Sequence, residues 1–542
     1  MKTVVISILM CLSSTIASAQ VERWGMFETS LTAPLTEENP FNVELKAIFE
    51  NADTAIIVNG YYDGIDKKTR QGIWRIRFMP MREGEWHFVT ISDTHGLNGK
   101  NGHFSCIAPS ANNHGPVMVD ETGLHFRYAD GKRFMPVGTT SYDWMHATND
   151  HRFGNFDKGL TIQEQTLKSL EMSGFNKIRS LLLVHNFDKS YPEPDIFPFE
   201  RKGDGWDWTR LNPRYFDHVE KYTLQLMQLG IEQDLILFHP YDEGRWGFDA
   251  MPREAGVLLC KYVTARFGAI RNIWWSMANE YDGLKKQPKD VWDVWTYAVI
   301  DNDPYHHLIS IHSFTAQYYK YWDSRYTHCS IQDQAPVEVQ GGAAIVRNIY
   351  KKPVIFDEIC YEGDMTSRWG CLTGEEELYR MWQAYVCGTY ATHAECFQYG
   401  NPHDFSHDFL AVGGKWMGES WKRIKFMRSI LDDMEYPMYL ADSSWDPYTS
   451  ACGPNCYMVY LGKQKVKEWA FNLPAKNSSF PRLKGGEQFK VEIIDTWNMT
   501  ITECPIIFET TRSGHYRMAD KENRVVPLTE QPYLLLRIKR IN

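Results

Sequence analysis

The chain has 542 residues, 43% of them hydrophobic and 23% charged, enough apolar content to fill about two to four globular cores and to exclude a disordered protein. Its net charge of −10, with basic residues scattered along the chain, argues against a nucleic-acid partner, which calls for a basic patch. An aromatic content of 14%, with 19 Trp and 29 Tyr, suits either large cores or flat platforms for sugar rings, and composition does not choose between them.

The first nineteen residues have the form of an export signal. Lys2 precedes the apolar run Val4–Leu12, and Ala17-Ser18-Ala19 has the A-x-A pattern of a cleavage site. The run is too short to span a bilayer, and no later segment is apolar enough to do so. A periplasmic or extracellular protein starting at Gln20 is expected. Met10 is larger than a lipoprotein cleavage ahead of Cys11 usually tolerates. The eleven Cys form no C-x-x-C pair and no zinc spacing. Cys452 and Cys456 flank Gly-Pro-Asn, a turn across which export permits a disulfide, and the sequence leaves that pairing open.

Residues 20–112 read as a β-sandwich of immunoglobulin-like type. "NVELKAIFEN", "TAIIVNGYY", "GIWRIRFMPM" and "EWHFVTISD" are β-branched and aromatic runs separated by Gly, Asn and Asp. "PSANNHGPV" then makes a polar, Pro- and Gly-containing connection. Over 113–433 strands alternate with helical patterns, the mark of βα units. Eight strands are expected at 133–140, 175–182, 231–238, 272–279, 307–312, 328–333, 352–358 and 392–399. A helix opens at Asn212-Pro213, carries Tyr215, Val219, Tyr222, Leu226 and Leu229 on one face, and stops at Gly230. Thr161…Glu164 and Thr373…Glu376 have the capping-box form. Eight such units predict an α/β fold with a (β/α)8 TIM barrel. The doubly wound alternative lacks any glycine-rich dinucleotide fingerprint. Residues 434–542 return to short strands and predict a C-terminal β-sandwich.

Long segments leave the C-terminal ends of the barrel strands, at 183–212, 314–327, 359–372 and 400–414, which gathers them on the face where barrels build their sites. On that face the fourth strand ends in Asn279-Glu280 and the seventh in Asp357-Glu358. Two carboxylates across a pocket separate each other's pKa values and divide the roles of acid and nucleophile, as glycoside hydrolysis requires.

Acids ending strands four and seven, the first preceded by Asn, resemble the pattern of clan A glycoside hydrolases, retaining (β/α)8 enzymes. The resemblance implies Glu280 of "ANE" as acid/base, Glu358 of "VIFDE" as nucleophile and Asn279 holding the sugar 2-hydroxyl. Arg179 of "GFNKIRS" would support the nucleophile through charge and hydrogen bonding, and His239 of "LFHP" would line the sugar site. More narrowly, "DGKRFMPVGTTSYDW" (130–144) with "TYATHAECFQYGN" (389–401) is similar to the apiosidase-like barrel family. "GIWRIRFMPMREGEWHF" resembles the small sandwich ahead of such barrels in polysaccharide degraders. Apiosidase-like relatives need not share the Asn-Glu pair, so apiose specificity does not carry over.

Beside these stand plainer readings. Glu280 is either the acid or a solvated carboxylate at a strand end; Asp357 and Glu362 rival Glu358; Arg179 is either a support or a structural ion-pair residue. His239, His312, Trp246 and Tyr399 are candidate sugar contacts, Trp206 and Trp208 either a platform or loop anchors. Asp242 and Glu243 near His239 lack the ligand number of a hard-cation loop, so neither metal nor cofactor is expected. The function expected is an exported glycosidase acting on a poly- or oligosaccharide. A non-catalytic carbohydrate-binding barrel, or a transglycosylase or lyase in the same pocket, is the alternative. Oligomeric state is not legible.

Overall fold

The computed structural model describes residues 20–35, 38–186, 191–398, 405–440, 449–476 and 480–542. The leader read over residues 1–19 lies outside these. Among the described residues, no helix is long and apolar enough to cross a membrane.

At the centre, eight strands form one parallel sheet rolled into a barrel: β1 (Gly138–Thr140), β2 (Lys177–Leu181), β3 (Glu232–Phe238), β4 (Ile273–Ala278), β5 (Ile309–Ser310), β6 (Cys329–Gln332), β7 (Val354–Glu358) and β8 (Tyr390–His393). Parallel ladders run from β5 through β4, β3 and β2 to β1, and on through β8 and β7 to β6, with Gly138 opposite both Lys177 and Thr392. The helices α1 (Ile162–Met172), α2 (Pro213–Gln228), α3 (Arg253–Phe267), α4 (Val291–Ile300), α5 (Gly342–Tyr350), α6 (Gly374–Val386) and α7 (Ser420–Asp432) cover the outside. All seven residues of β3 are buried, as a strand walled on both faces requires.

Local chemistry explains the boundaries. Thr161 and Glu164 complete the reciprocal capping box of α1, and the Thr373 hydroxyl accepts from Glu376 N–H at the start of α6. Tyr215, Val219, Tyr222 and Leu226 form the buried stripe of α2, and Gly230 ends that segment at a φ of 70°. The strand expected at 133–140 is divided. Pro136 lacks the N–H to continue a ladder; Arg133–Phe134 instead joins an antiparallel three-stranded unit with Val117–Val119 and Phe126–Tyr128. Phe126 of that unit packs against Trp274 at the start of β4 and against Tyr390 at the start of β8, so it plugs the lower end of the barrel. No helix forms between β5 and β6. That seam is stitched by Thr327, whose N–H donates to the Ile309 carbonyl at 2.9 Å while its hydroxyl accepts from Ile309 N–H.

The N-terminal part is a sandwich of a five-stranded and a three-stranded sheet around Phe49, Phe78, Phe104, Trp74 and Trp86. The C-terminal part is a β domain with a nine-stranded sheet. Cys452 and Cys456 are thiols with their sulfurs 2.9 Å apart. The sandwich is fastened to the barrel by buried charge. Arg266 of α3 reaches Asp63 of the sandwich at 2.9 Å and Glu220 of α2 at 2.8 Å, and also pairs with Asp217. Arg77 of the sandwich reaches Glu220 at 2.6 Å and donates to the Arg266 carbonyl at 2.8 Å. Burial pushes the Glu220 carboxyl up, but the two guanidiniums hold it below its ordinary value.

Removing the cation that Asp63 and Glu220 share leaves buried carboxylates short of a partner. Arg266→Ala is expected to destabilise the protein by about 3–5 kcal/mol, read as a lower midpoint in thermal or urea unfolding. Lys at the same position keeps the charge without the fork and should recover only part of the loss.

Candidate active site

Asn279 continues the β3–β4 ladder by donating its N–H to the Phe238 carbonyl at 3.0 Å. The next residue leaves the strand abruptly. Glu280 takes a left-handed backbone with φ 45° and ψ 53°, a conformation that carries a steric cost for any residue with a Cβ. This turn aims its carboxylate into a cavity of about 570 Å3 above the strand ends, into which Glu358, the last residue of β7, also opens. Tyr142, His185, Tyr241 and Trp369 form parts of the wall. The exposed Trp369 ring lies parallel to that of Phe405 on the same wall, their centroids 6.0 Å apart.

A single amide joins the two carboxylates. Asn279 Oδ1 accepts from Arg179 Nη2 at 2.5 Å, which turns its NH2 group toward the cavity. That group donates to Glu358 Oε1 at 3.3 Å, to the Tyr142 hydroxyl at 3.2 Å and to the Tyr241 hydroxyl. Tyr241 in turn donates to Glu280 Oε2 at 2.8 Å, and Tyr142 donates to Glu358 Oε1 at 2.6 Å. The two acids therefore differ in surroundings. Glu358 Oε1 receives two donors and stands 3.7 Å from Arg179 Nη1. Glu280 has no cation beside it among the described residues, and burial followed by repulsion from Glu358 pushes its carboxyl up to about 8, with the Tyr241 hydrogen bond partly opposing.

Arg179 is held from below. It lies fully buried, 3.8 Å from Asp357 and 4.0 Å from Asp234, and these anions with Glu358 keep its guanidinium charged against the cost of burial. Lys177, one turn of the pleat lower, bridges the same two aspartates at 2.8 and 3.0 Å. Asp357 thus points into the barrel interior. Burial raises its carboxyl, but Lys177, Arg179 and the hydroxyls of Ser330 and Thr392 hold it well below the ordinary carboxylate range. The support expected of Arg179 reaches Glu358 by charge; its hydrogen bond goes to Asn279 instead.

The other sequence candidates fall behind the cavity wall. His239 is buried, its Nε2 donating to the Leu183 carbonyl at 3.2 Å and its Nδ1 accepting from Tyr241 N–H at 3.2 Å. Burial lowers its pKa to about 4, so it is a neutral brace for the tyrosine that contacts Glu280. His312 is buried with Nε2 3.9 Å from Glu358 Oε1, and burial keeps it neutral. Trp246 packs on Phe197, and its indole N–H donates to Glu193 at 2.9 Å; Trp206 donates to the Trp246 carbonyl. These tryptophans anchor the loop core, and neither forms part of the cavity wall. Tyr399 lies outside the described residues. Tyr142 and Tyr241, which contact the carboxylates directly, were not singled out from the sequence. The one available signal was their position just past β1 and β3, on the face where the acids end.

A parallel barrel with two acids and an aromatic wall at its C-terminal mouth defines a glycoside hydrolase scaffold, and comparison with known proteins makes the assignment narrower. The family model of the apiosidase-like catalytic domain matches residues 120–394, and two domains of unknown function, DUF5060 and DUF5605, match residues 20–93 and 445–539. The chain belongs to the apiosidase-like family of glycoside hydrolases. It is 45% identical to a candidate glycoside hydrolase from Bacteroides vulgatus ATCC 8482, whose crystal structure matches with a TM-score of 0.89 over 96% of this chain and 100% of that one. A glycoside hydrolase family 5 protein from the same organism matches at 14% identity and a TM-score of 0.52, over 80% of this chain and 94% of that one, a likeness of fold. Among curated proteins, none matches the chain.

Since the Tyr241 hydrogen bond favours ionised Glu280, its loss raises the Glu280 pKa further. Were Glu280, with its carboxyl pushed up to about 8, the proton donor of the reaction, Tyr241→Phe should move the alkaline limb of the kcat/KM profile upward by about one pH unit. A limb that stays in place would show that Glu280 is not the group titrating there.

Proposed function

We infer that the enzyme is a retaining glycosidase acting on a poly- or oligosaccharide, with Glu358 as nucleophile and Glu280 as acid/base. The observation carrying this reading is that both carboxylates open into one cavity, where burial and the nearby Glu358 push Glu280 up to about 8, so that it holds a proton at neutral pH. In the first step a Glu358 oxygen attacks the anomeric carbon. The glycosidic C–O bond breaks with its electron pair going to the departing oxygen, which takes the proton of Glu280. In the second step the Glu280 carboxylate removes a proton from water. The water oxygen bonds to the anomeric carbon, and Glu358 leaves as a carboxylate.

Arg179, Asn279, His239 and His312 serve this chemistry by position. Asn279, fully buried with every amide atom engaged, orders the two carboxylates and is available to a sugar hydroxyl only by exchanging a partner. Trp369 takes the place of Trp246 as aromatic platform, because it forms part of the cavity wall and Trp246 does not. The leader form of residues 1–19 fits a substrate met outside the cytoplasm, and export is part of the same proposal; N-terminal sequencing of the secreted protein would find Gln20 first.

Glu358→Ala is expected to lower kcat by about 10^4-fold or more and to be partly rescued by azide, giving a glycosyl azide of inverted configuration. Proton NMR of the first wild-type product should show the anomer of the substrate. Wild-type turnover by the alanine variant would remove Glu358 from the mechanism, and an inverted first product would exclude double displacement. Glu280→Gln should cost about 10^2–10^4-fold on natural glycosides and much less on aryl glycosides whose leaving group needs no proton.

A further inference from the structure

Beyond Glu358 the direction of β7 is resumed by Glu362–Gly363, which pairs in parallel with Glu395–Cys396 just past β8. The register sets Glu362 opposite Glu395. Opposed residues of a parallel pair project to the same side, and Glu377 of α6 and His393 of β8 complete the group. The side chains are 6%, 1%, 0% and 0% exposed for Glu362, Glu395, Glu377 and His393, and none forms part of the cavity wall described above. Ligand-capable atoms of Glu362, Glu377 and His393 all lie within 4.8 Å of one another.

The existing partners of these carboxylates are neutral. Glu377 accepts from the N–H groups of Glu362 at 2.8 Å and Ala394 at 3.2 Å. Glu362 accepts from Glu419 and Ser420 N–H, both at 2.9 Å, and from the Ser420 hydroxyl at 2.6 Å. Glu395 Oε2 accepts from Met417 N–H at 2.7 Å. Among the described residues no Lys or Arg pairs with any of the three; the one ionisable partner is His393, 3.9 Å from Glu377 Oε2.

One buried oxygen stands apart. Glu395 Oε1 has no hydrogen bond of good geometry, although the Gly418 N–H acts on the same carboxylate and favours its ionised form; an underused polar atom removed from water is costly. It is aimed at the group: a Cβ placed on Gly418 would collide with Glu362 Oε2 and stand 2.8 Å from Glu395 Oε1, so both oxygens border one small space that glycine keeps open. A proton on Glu395 would engage at most the neighbouring Glu362 Oε2, whereas a cation satisfies this oxygen and its other neighbours together. His393 has Nδ1 3.2 Å from the Thr139 hydroxyl and Nε2 3.1 Å from the Ser420 hydroxyl; since that hydroxyl donates to Glu362, Nε2 carries a proton in this arrangement, and a cation would take the place of that proton.

We propose that Glu362, Glu377, Glu395 and His393 form a divalent-cation site that fastens the segment after β7 to β8 and α6. An imidazole among carboxylates selects manganese or zinc over calcium and magnesium, which take oxygen ligands alone. The fastened segment carries Arg368 and Trp369 of the cavity wall, so the ion holds one side of the sugar cavity without touching the substrate.

The full chain, purified after growth with added manganese and zinc, is analysed for metal content and melted before and after chelation. Stoichiometric metal is expected, with a fall in Tm of about 3 °C on chelation that manganese or zinc alone restores and calcium does not. Glu395→Gln, which keeps the side-chain shape, should lose both the metal and the Tm response; His393→Gln provides the second variant should the first fail to fold. Wild-type protein without metal and without response to either ion would overturn the site. So would unchanged metal binding in the variants, or restoration by calcium alone. None of these readouts depends on the roles proposed for Glu280 and Glu358.

Discussion

The hydrogen bond from Arg179 to Asn279 fixes the rest of the site. A guanidinium has no acceptor, so it admits one orientation of the amide facing it. With Oδ1 committed to Arg179, the NH2 group must face the cavity, where it meets Glu358 and the hydroxyls of Tyr142 and Tyr241. Each tyrosine then has a lone pair occupied and its proton directed at a carboxylate. The polarity of the whole chain of contacts is set by a cation that never reaches the cavity, and that cation is in turn positioned by Asp234 and Asp357 inside the barrel.

The surrounding architecture protects this arrangement. A constellation of this kind works only when its parts stay within about 0.5 Å of the productive geometry. The barrel is stiffened from beneath by the Phe126 plug and from the side by the charged joint between α2, α3 and the N-terminal sandwich. The seam between β5 and β6 is the exception, since it is held by Thr327 and by the Tyr321 hydroxyl, which reaches the carbonyls of Ile311 and Ser330, rather than by a ladder. Gln332, the last residue of β6, and Phe314, which follows β5, lie on the cavity wall, so this ladder-free seam lies beneath one side of it.

What the sequence made legible and what it did not divide along physical lines. Buried parallel strands are continuous apolar runs, and the amphipathic stripe of α2 repeats at helical spacing, so βα units could be counted. Asn279-Glu280 was readable because an acid at the end of an apolar run has no role in packing. Pro136 was present in the sequence, but a run of eight apolar-rich residues concealed the break it imposes. Trp246 and Trp369 look alike in one dimension; which of them faces a cavity depends on contacts with Glu193 and Phe405, 53 and 36 positions away. The hydroxyl of Tyr241 acquires its meaning only when β3 and β4 lie side by side, and the meeting of Glu362 with Glu395 needs the register of two strand extensions.

Glu280 sits at a backbone angle of φ 45°, where glycine would rest without penalty and a side chain costs about 1–2 kcal/mol. The fold therefore maintains an uncomfortable residue at the very place where a carboxylate is wanted. With Glu280 in the acid/base role proposed above, a lineage that drifted to glycine there would become hardier as it fell silent, so thermal robustness and turnover would pull this position in opposite directions. Inactive relatives that are unusually hard to melt are the expected trace of that tension.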